Sequence, residues 1–260
     1  MQFESIANLL IAGSVLLYLT GGAALILNKP RVGRFLIALA WGGTVVLVAV
    51  NGVAVEGPPL GNMYQVLMVL SLCFVPLFLV LSQRAGLFWA APYFIVMAML
   101  PLVGGFFMEK DALWRRMPAL QSHWFIPHVL AYMIAYALAT VAVAFLAMKW
   151  IKRRRGTEDG RHDAAACETL RLAFPFMTFG MLSGALWAEQ AWGQYWSWDP
   201  KETWSLIMWM FYVIYLHARK SGELRKYADL AHLLGYLALL ITFLLVNLLP
   251  RLASLLHGYA

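Results

Sequence analysis

Of the 260 residues, 62% are hydrophobic and only 13% charged, and the mean hydropathy is +0.70. Too little polar surface remains to coat a water-soluble domain, so the composition excludes that class and points to a bilayer. The net charge of +7 is read as membrane topology and anionic-lipid contact, with no nucleic-acid partner, because of where the cations fall.

A helix needs roughly 20 residues to cross about 30 Å of hydrocarbon. Apolar runs of that kind fall at about 6–27, 33–55, 62–82, 86–106, 125–148, 170–190, 200–219 and 231–249. They predict an all-α integral membrane protein, a polytopic helical bundle of about eight transmembrane helices forming a single transmembrane domain over 1–260. The first run follows MQFES, with no basic lead and no small-residue cleavage site, and reads as a retained helix rather than a signal peptide.

With an outer N-terminus, alternation puts Lys29, Arg31, Arg34, Arg84, Lys149, the run Lys152 to Arg155, Arg161, Arg171, Arg219, Lys220, Arg225 and Lys226 on the inner side. Only Lys110, Arg115, Arg116, Lys201 and Arg251 fall outside. Basic loops stay in the cytoplasm, so this asymmetry places both termini on the outer, periplasmic side of a bacterial cytoplasmic membrane. The largest inner loop, about 152–168 (KRRRGTEDGRHDAAACE), reads as a solvated connector. Cys73, in the third helix, and Cys167, in that connector, form no C-x-x-C. Structural disulfides and covalent attachment of haem to this chain are therefore not expected.

The seventh helix starts within WGQYWSWDPKETW. Asp199 offers an N-cap, Pro200 suits the first helical position, and Glu202 stands three residues after the cap. As caps, Asp199 and Glu202 satisfy free amides and need no catalytic role. The tryptophans are harder to explain. Six of the chain's 11 fall in the 23 residues of segment 187–209, more than an interfacial belt requires. Flat apolar rings with N–H donors suit a flat apolar ligand with a polar edge.

The histidines narrow that ligand. His128 lies one turn inside the outer end of the fifth helix, and His257 follows the eighth on the same side. Singly, each reads as a helix-end residue. As a pair beside a tryptophan platform, they could fill both axial positions of a haem iron. His123 competes with His128. On the inner side stand His217, near the end of the seventh helix, and His232, opening the eighth. His217 also suits a helix C-terminus as a cation. His162 reads as a solvated loop residue.

The segment WAEQAWGQYWSWDPKETWSLIMWMFYVIYLHAR resembles the tryptophan-rich WWD signature of haem-handling membrane proteins, and in detail the CcsA (ResC-like) cytochrome c biogenesis family. Supporting matches are PPLGNMYQ at 58–65, LQSHWFIPHV at 120–129 and NLLPRLASLLHGY at 247–259. The resemblance implies a subunit that carries haem b across the membrane and, with a CcsB-type partner, attaches it to apocytochrome c bearing C-x-x-C-H. It implies a haem platform at Trp192, Trp196, Trp198, Asp199 and Trp204 within 187–209. It also implies outer axial ligands His128 and His257, giving bis-histidine coordination, and an inner ligand His217. Haem lyase activity is expected only with the partner, because this chain lacks a fused CcsB portion. No nucleophile of its own is needed, since positioning alone lowers a bimolecular barrier by up to about 7–11 kcal/mol. Lys201 and Arg251 are the outer cations nearest the platform for the propionates. Three other readings stay open: a CcmC-like subunit passing haem to a chaperone, a b-type di-haem electron-transfer subunit, and a secondary transporter, for which no inverted repeat is evident.

Overall fold

Helices account for nearly all of residues 2–110 and 122–245, the parts of the chain that the computed structural model describes, and no strand occurs among them. In order they are α1 Gln2–Ile26, α2 Pro30–Ala54, α3 Met63–Ala85, α4 Ala91–Phe106, α5 Phe125–Arg154, α6 Arg161–Trp192, α7 Pro200–Ala218 and α8 Ala228–Leu240. Short 3-10 turns, Leu87–Ala90 and Leu224–Tyr227, lead into α4 and α8, and a π-helical turn, Ile241–Leu245, follows α8.

Among the described residues, seven helical stretches are long and apolar enough to cross a membrane, and the chain is a multi-pass, all-α membrane protein. The sequence predicts eight spans, but α7 is not among these seven. Its first turns spend positions on Lys201, Glu202, Thr203 and Ser205. Proline lies inside α3, α4 and α6 at Pro76, Pro101 and Pro175, which neighbouring helices make tolerable in a membrane.

The chain clusters into two compact units, Met1–Met117 and Pro118–Ala260. In the first, the PPLGNMYQ segment acts as a helix start. Asn62 Oδ1 accepts from the Gln65 amide at 2.9 Å, and Gln65 Oε1 accepts from the Gly61 amide at 2.9 Å. The Asn62 bond satisfies an amide that the first turn of α3 leaves without an intrahelical partner, and the Gln65 bond ties the preceding Gly61 to that turn. In the second unit, α5 and α6 form the most extensive helix pair.

The 152–168 stretch is a solvated connector only over 155–160, because α5 runs on to Arg154 and α6 already begins at Arg161. His162 and Cys167 consequently lie on α6 and are buried, 1% and 5% exposed. Charge hides this extension from an apolar-run reading. The added turns of α6 are amphipathic, with Ala165, Ala166 and Cys167 inward, and Asp163 is held by Lys149 of α5 at 2.7 Å.

Candidate functional site

The tryptophan segment is a short, pinned connection. Helix α6 stops after Trp192 because Gly193 takes the left-handed conformation (φ 77°) and returns its N–H to the Glu189 carbonyl at 2.8 Å. Six residues later Asp199 caps α7, and the capping box predicted from Asp199 and Glu202 is present. Glu202 Oε2 accepts from the Ser197 amide (2.7 Å), the Ser197 hydroxyl (3.1 Å) and the Asp199 amide (3.2 Å).

These bonds hold Trp198 at φ 61°, a left-handed conformation that costs a non-glycine residue about 1–3 kcal/mol. The Thr203 hydroxyl adds a bond to the Trp198 carbonyl at 3.2 Å. As a result Trp198 stands 68% exposed, beside Tyr195 at 59%. The Trp196 and Trp198 rings meet edge to face at 5.9 Å. A fixed backbone therefore presents an apolar, indole-bearing edge. Trp192 ends α6, and Trp204, half-buried, lies in the second turn of α7.

His128 occupies the first turn of α5, seated on α6. Its Nδ1 lies 2.8 Å from the Gly180 carbonyl oxygen. A carbonyl only accepts, so Nδ1 carries the proton and the lone pair sits on Nε2, the form in which imidazole ligates metal. The approach needs Gly184, where a Cβ would stand 2.6 Å from the ring. Gly180 and Gly184 form a G-x-x-x-G spacing, a small-residue seam along which membrane helices approach closely. The Trp187 ring lies 5.4 Å from the imidazole and 5.1 Å from Trp192. His128 is thereby joined through Trp187 to the start of the tryptophan segment. His123 is exposed, just before α5. His257 and Arg251 lie outside the described residues.

At the far end of α7, eighteen positions or about 27 Å from Asp199, His217 is exposed. Its Nδ1 is 2.8 Å from the Val213 carbonyl and donates to it, so the neutral ring would carry its lone pair on Nε2. His232 differs. It is 1% exposed and packed between Tyr212 and Tyr215, with ring centroids at 5.9 and 5.4 Å.

The same end carries a charge cluster that joins α5 to α8. Lys149 bridges Asp163 and Asp229, both at 2.7 Å, and Arg219 (2.5 Å) and Arg225 (3.6 Å) also reach Asp163. The Trp150 indole donates to Asp229 at 3.1 Å.

Sequence reasoning missed Trp187 as the link to His128, the two glycines beneath that ring, and the ion-pair cluster. The G-x-x-x-G spacing was a usable signal for the glycines. No periodicity announces the pairing of Lys149 with Asp229, 80 positions apart.

The family model described as "Cytochrome C assembly protein" matches residues 60–253, about half of the first unit and nearly all of the second. The chain belongs to that family. It is similar to proteins named "Cytochrome c biogenesis protein CcsA". The Chlamydomonas reinhardtii protein is 36% identical over 217 residues, covering 77% of this chain and 60% of the relative. The Mesostigma viride protein is 33% identical, covering 74% and 75%, and that of Adiantum capillus-veneris 35% identical, covering 74% and 76%. A solved structure named "Cytochrome c Heme Lyase CcmF" superposes with a TM-score of 0.65 at 19% identity, covering 94% of this chain and 47% of that one. The CcmF likeness is one of fold. This member of the cytochrome c assembly family thus spans about 60% of one CcsA relative and three quarters of two others.

Proposed function

We propose that this chain is the CcsA-type subunit of a cytochrome c synthase: it carries haem b across the membrane and presents it to apocytochrome c for covalent attachment. The observation that carries the reading is His128, its proton committed to the Gly180 carbonyl and its ring flanked by Trp187, at the head of a pinned tryptophan segment. The donor set fits haem as a substrate: a neutral imidazole for iron, and indole faces and edges at Trp192, Trp196, Trp198 and Trp204 for the porphyrin. His257 supplies the opposite imidazole, and Asp199 shapes the segment from the cap of α7.

In the reaction each substrate thiol of C-x-x-C-H adds across one haem vinyl group. A carbon–sulfur bond forms, the thiol proton passes to the other vinyl carbon, and no net oxidation occurs. The chain contributes positioning. His217, exposed near the opposite end of α7, suits an inner haem whose second ligand comes from a CcsB-type membrane protein. The active face is periplasmic, in a bacterial cytoplasmic membrane. The test is purification with and without the partner, followed by a reduced-minus-oxidised spectrum. A low-spin haem lost in His128→Gly supports the reading, as does less total haem in His217→Ala. A haem-free wild-type complex overturns it. Delivery to a chaperone, in the CcmC manner, would instead leave the complex without thioether formation when apocytochrome c is supplied.

A further inference from the structure

We infer that the carboxylate of Glu202 has a second role beside the helix cap: its Oε1 atom accepts a hydrogen bond from the C-x-x-C-H segment of the incoming polypeptide. The inference rests on the haem-presentation reading and adds a substrate-binding residue to it.

The two carboxylate oxygens are in different situations. Oε2 takes the Ser197 amide, the Ser197 hydroxyl and the Asp199 amide. The two amides flank Trp198, so the carboxyl group is anchored to the backbone on either side of that exposed indole. Among the described residues no donor reaches Oε1, although the atom is shielded from solvent and Glu202 is only 8% exposed. The cap does not require this second oxygen. A glutamine in the same position would serve the Ser197 and Asp199 amides as well, without leaving a buried charged acceptor unsatisfied. Such acceptors are rare, because they give up hydration and receive no bond in return. A carboxylate here therefore points to a donor that arrives with a ligand.

Of the two reactants, only one brings a donor. Haem offers propionates, which accept hydrogen bonds and repel a carboxylate, and vinyl edges, which donate nothing. The C-x-x-C-H segment offers an imidazole N–H, two thiols and main-chain amides. The turn that Glu202 pins also has apolar surface for a polypeptide, in the Trp196 and Trp198 rings that meet edge to face and in the exposed Tyr195. Away from water, a hydrogen bond to a charged acceptor is stronger than at the surface. One such bond is enough to fix the register of C-x-x-C-H at the tryptophan platform, and positioning is what the reaction requires.

The test uses the complex with its partner, as wild type, Glu202→Gln and Glu202→Ala, and reduced synthetic peptides bearing C-x-x-C-H, C-x-x-C-A or S-x-x-S-H. In Glu202→Gln the three donors hold the amide oxygen at the Oε2 position, and an NH2 group, which cannot accept, takes the place of Oε1. Melting temperature, amide exchange at Ser197 and Asp199, and the haem spectrum should therefore stay near wild type. Affinity for the C-x-x-C-H peptide should fall about ten- to a hundredfold, the range of one hydrogen bond to a charged acceptor. KM for thioether formation should rise with it, while kcat moves less. Disappearance of the difference with C-x-x-C-A assigns the donor to the imidazole, disappearance with S-x-x-S-H assigns it to a thiol, and persistence with both assigns it to the main chain. If Glu202→Gln binds C-x-x-C-H as wild type does, and only Glu202→Ala loses affinity as its amides loosen, the carboxylate is a cap alone and the inference is overturned. A wild-type complex without haem defeats the functional reading instead, and peptide affinity still decides the role of Glu202. A wild-type complex that binds no C-x-x-C-H peptide overturns the inference itself.

Discussion

Gly184 of α6 faces His128 of α5 so closely that a methyl group on it would stand 2.6 Å from both Nδ1 and Cε1 of the imidazole. Alanine is the better helix former by about 1 kcal/mol, yet here it must displace the ring, at a cost of about 1–3 kcal/mol for overpacking. Gly184→Ala is therefore expected to gain no stability and to weaken the Nδ1 bond to Gly180. The haem-to-protein ratio and the low-spin absorption should both fall. An unchanged spectrum would mean that His128 is not held where a ligand must be.

The two outer histidines should behave as one site. His128→Gly or His257→Gly leaves a single axial imidazole, and millimolar imidazole should restore part of the spectrum. The double variant should be no worse than the poorer single one. His162 makes an instructive contrast. Read as a solvated residue, its replacement by glycine should be silent. Buried in α6, it should instead cost about 1–3 kcal/mol through helix entropy and lost packing, seen as a lower melting temperature with the haem spectrum intact.

Glu202 and Trp198 separate backbone pinning from indole chemistry. Glu202→Ala removes the acceptor for two amides and a hydroxyl, and the lost cap costs about 0.5–2 kcal/mol. Proteolytic nicking within 193–199 should become faster. Trp198→Gly relieves a left-handed conformation worth about 1 kcal/mol and should leave nicking unchanged while lowering haem retention. If Trp198→Gly retained haem fully, the exposed indole would have no part in binding.

Asp163 meets three cations at the far end of the second unit. Asp163→Asn leaves Lys149 and Arg219 partly buried and less compensated, at a cost of about 1–3 kcal/mol for a pair neither fully exposed nor fully buried. Thermal melting should show the loss, and the outer-haem spectrum should not change. A change there would couple the two ends of the helices.

Reporter fusions decide orientation. Arg153 and Lys220 are expected in the cytoplasm and Ser197 outside, as the distribution of basic loops requires. A cytoplasmic Ser197 would detach the tryptophan segment from cytochrome maturation.

Hydropathy and helix-start chemistry were enough to read the helical membrane class, the start of α7 at Pro200 and the capping box, because these depend on neighbours within a few residues. The wealth of tryptophan beside that cap was equally local. Long-range partners were not. The burial of His162 came from the charged extension of α6, whose Asp163 finds Lys149 only once α5 and α6 lie side by side. That His128 hands its proton to Gly180, 52 positions away, likewise depends on two glycines letting α5 and α6 approach. Composition and periodicity record what each helix exposes to its surroundings. Which atoms of two helices meet is set by side-chain shape across their interface, and that exists only in the folded protein.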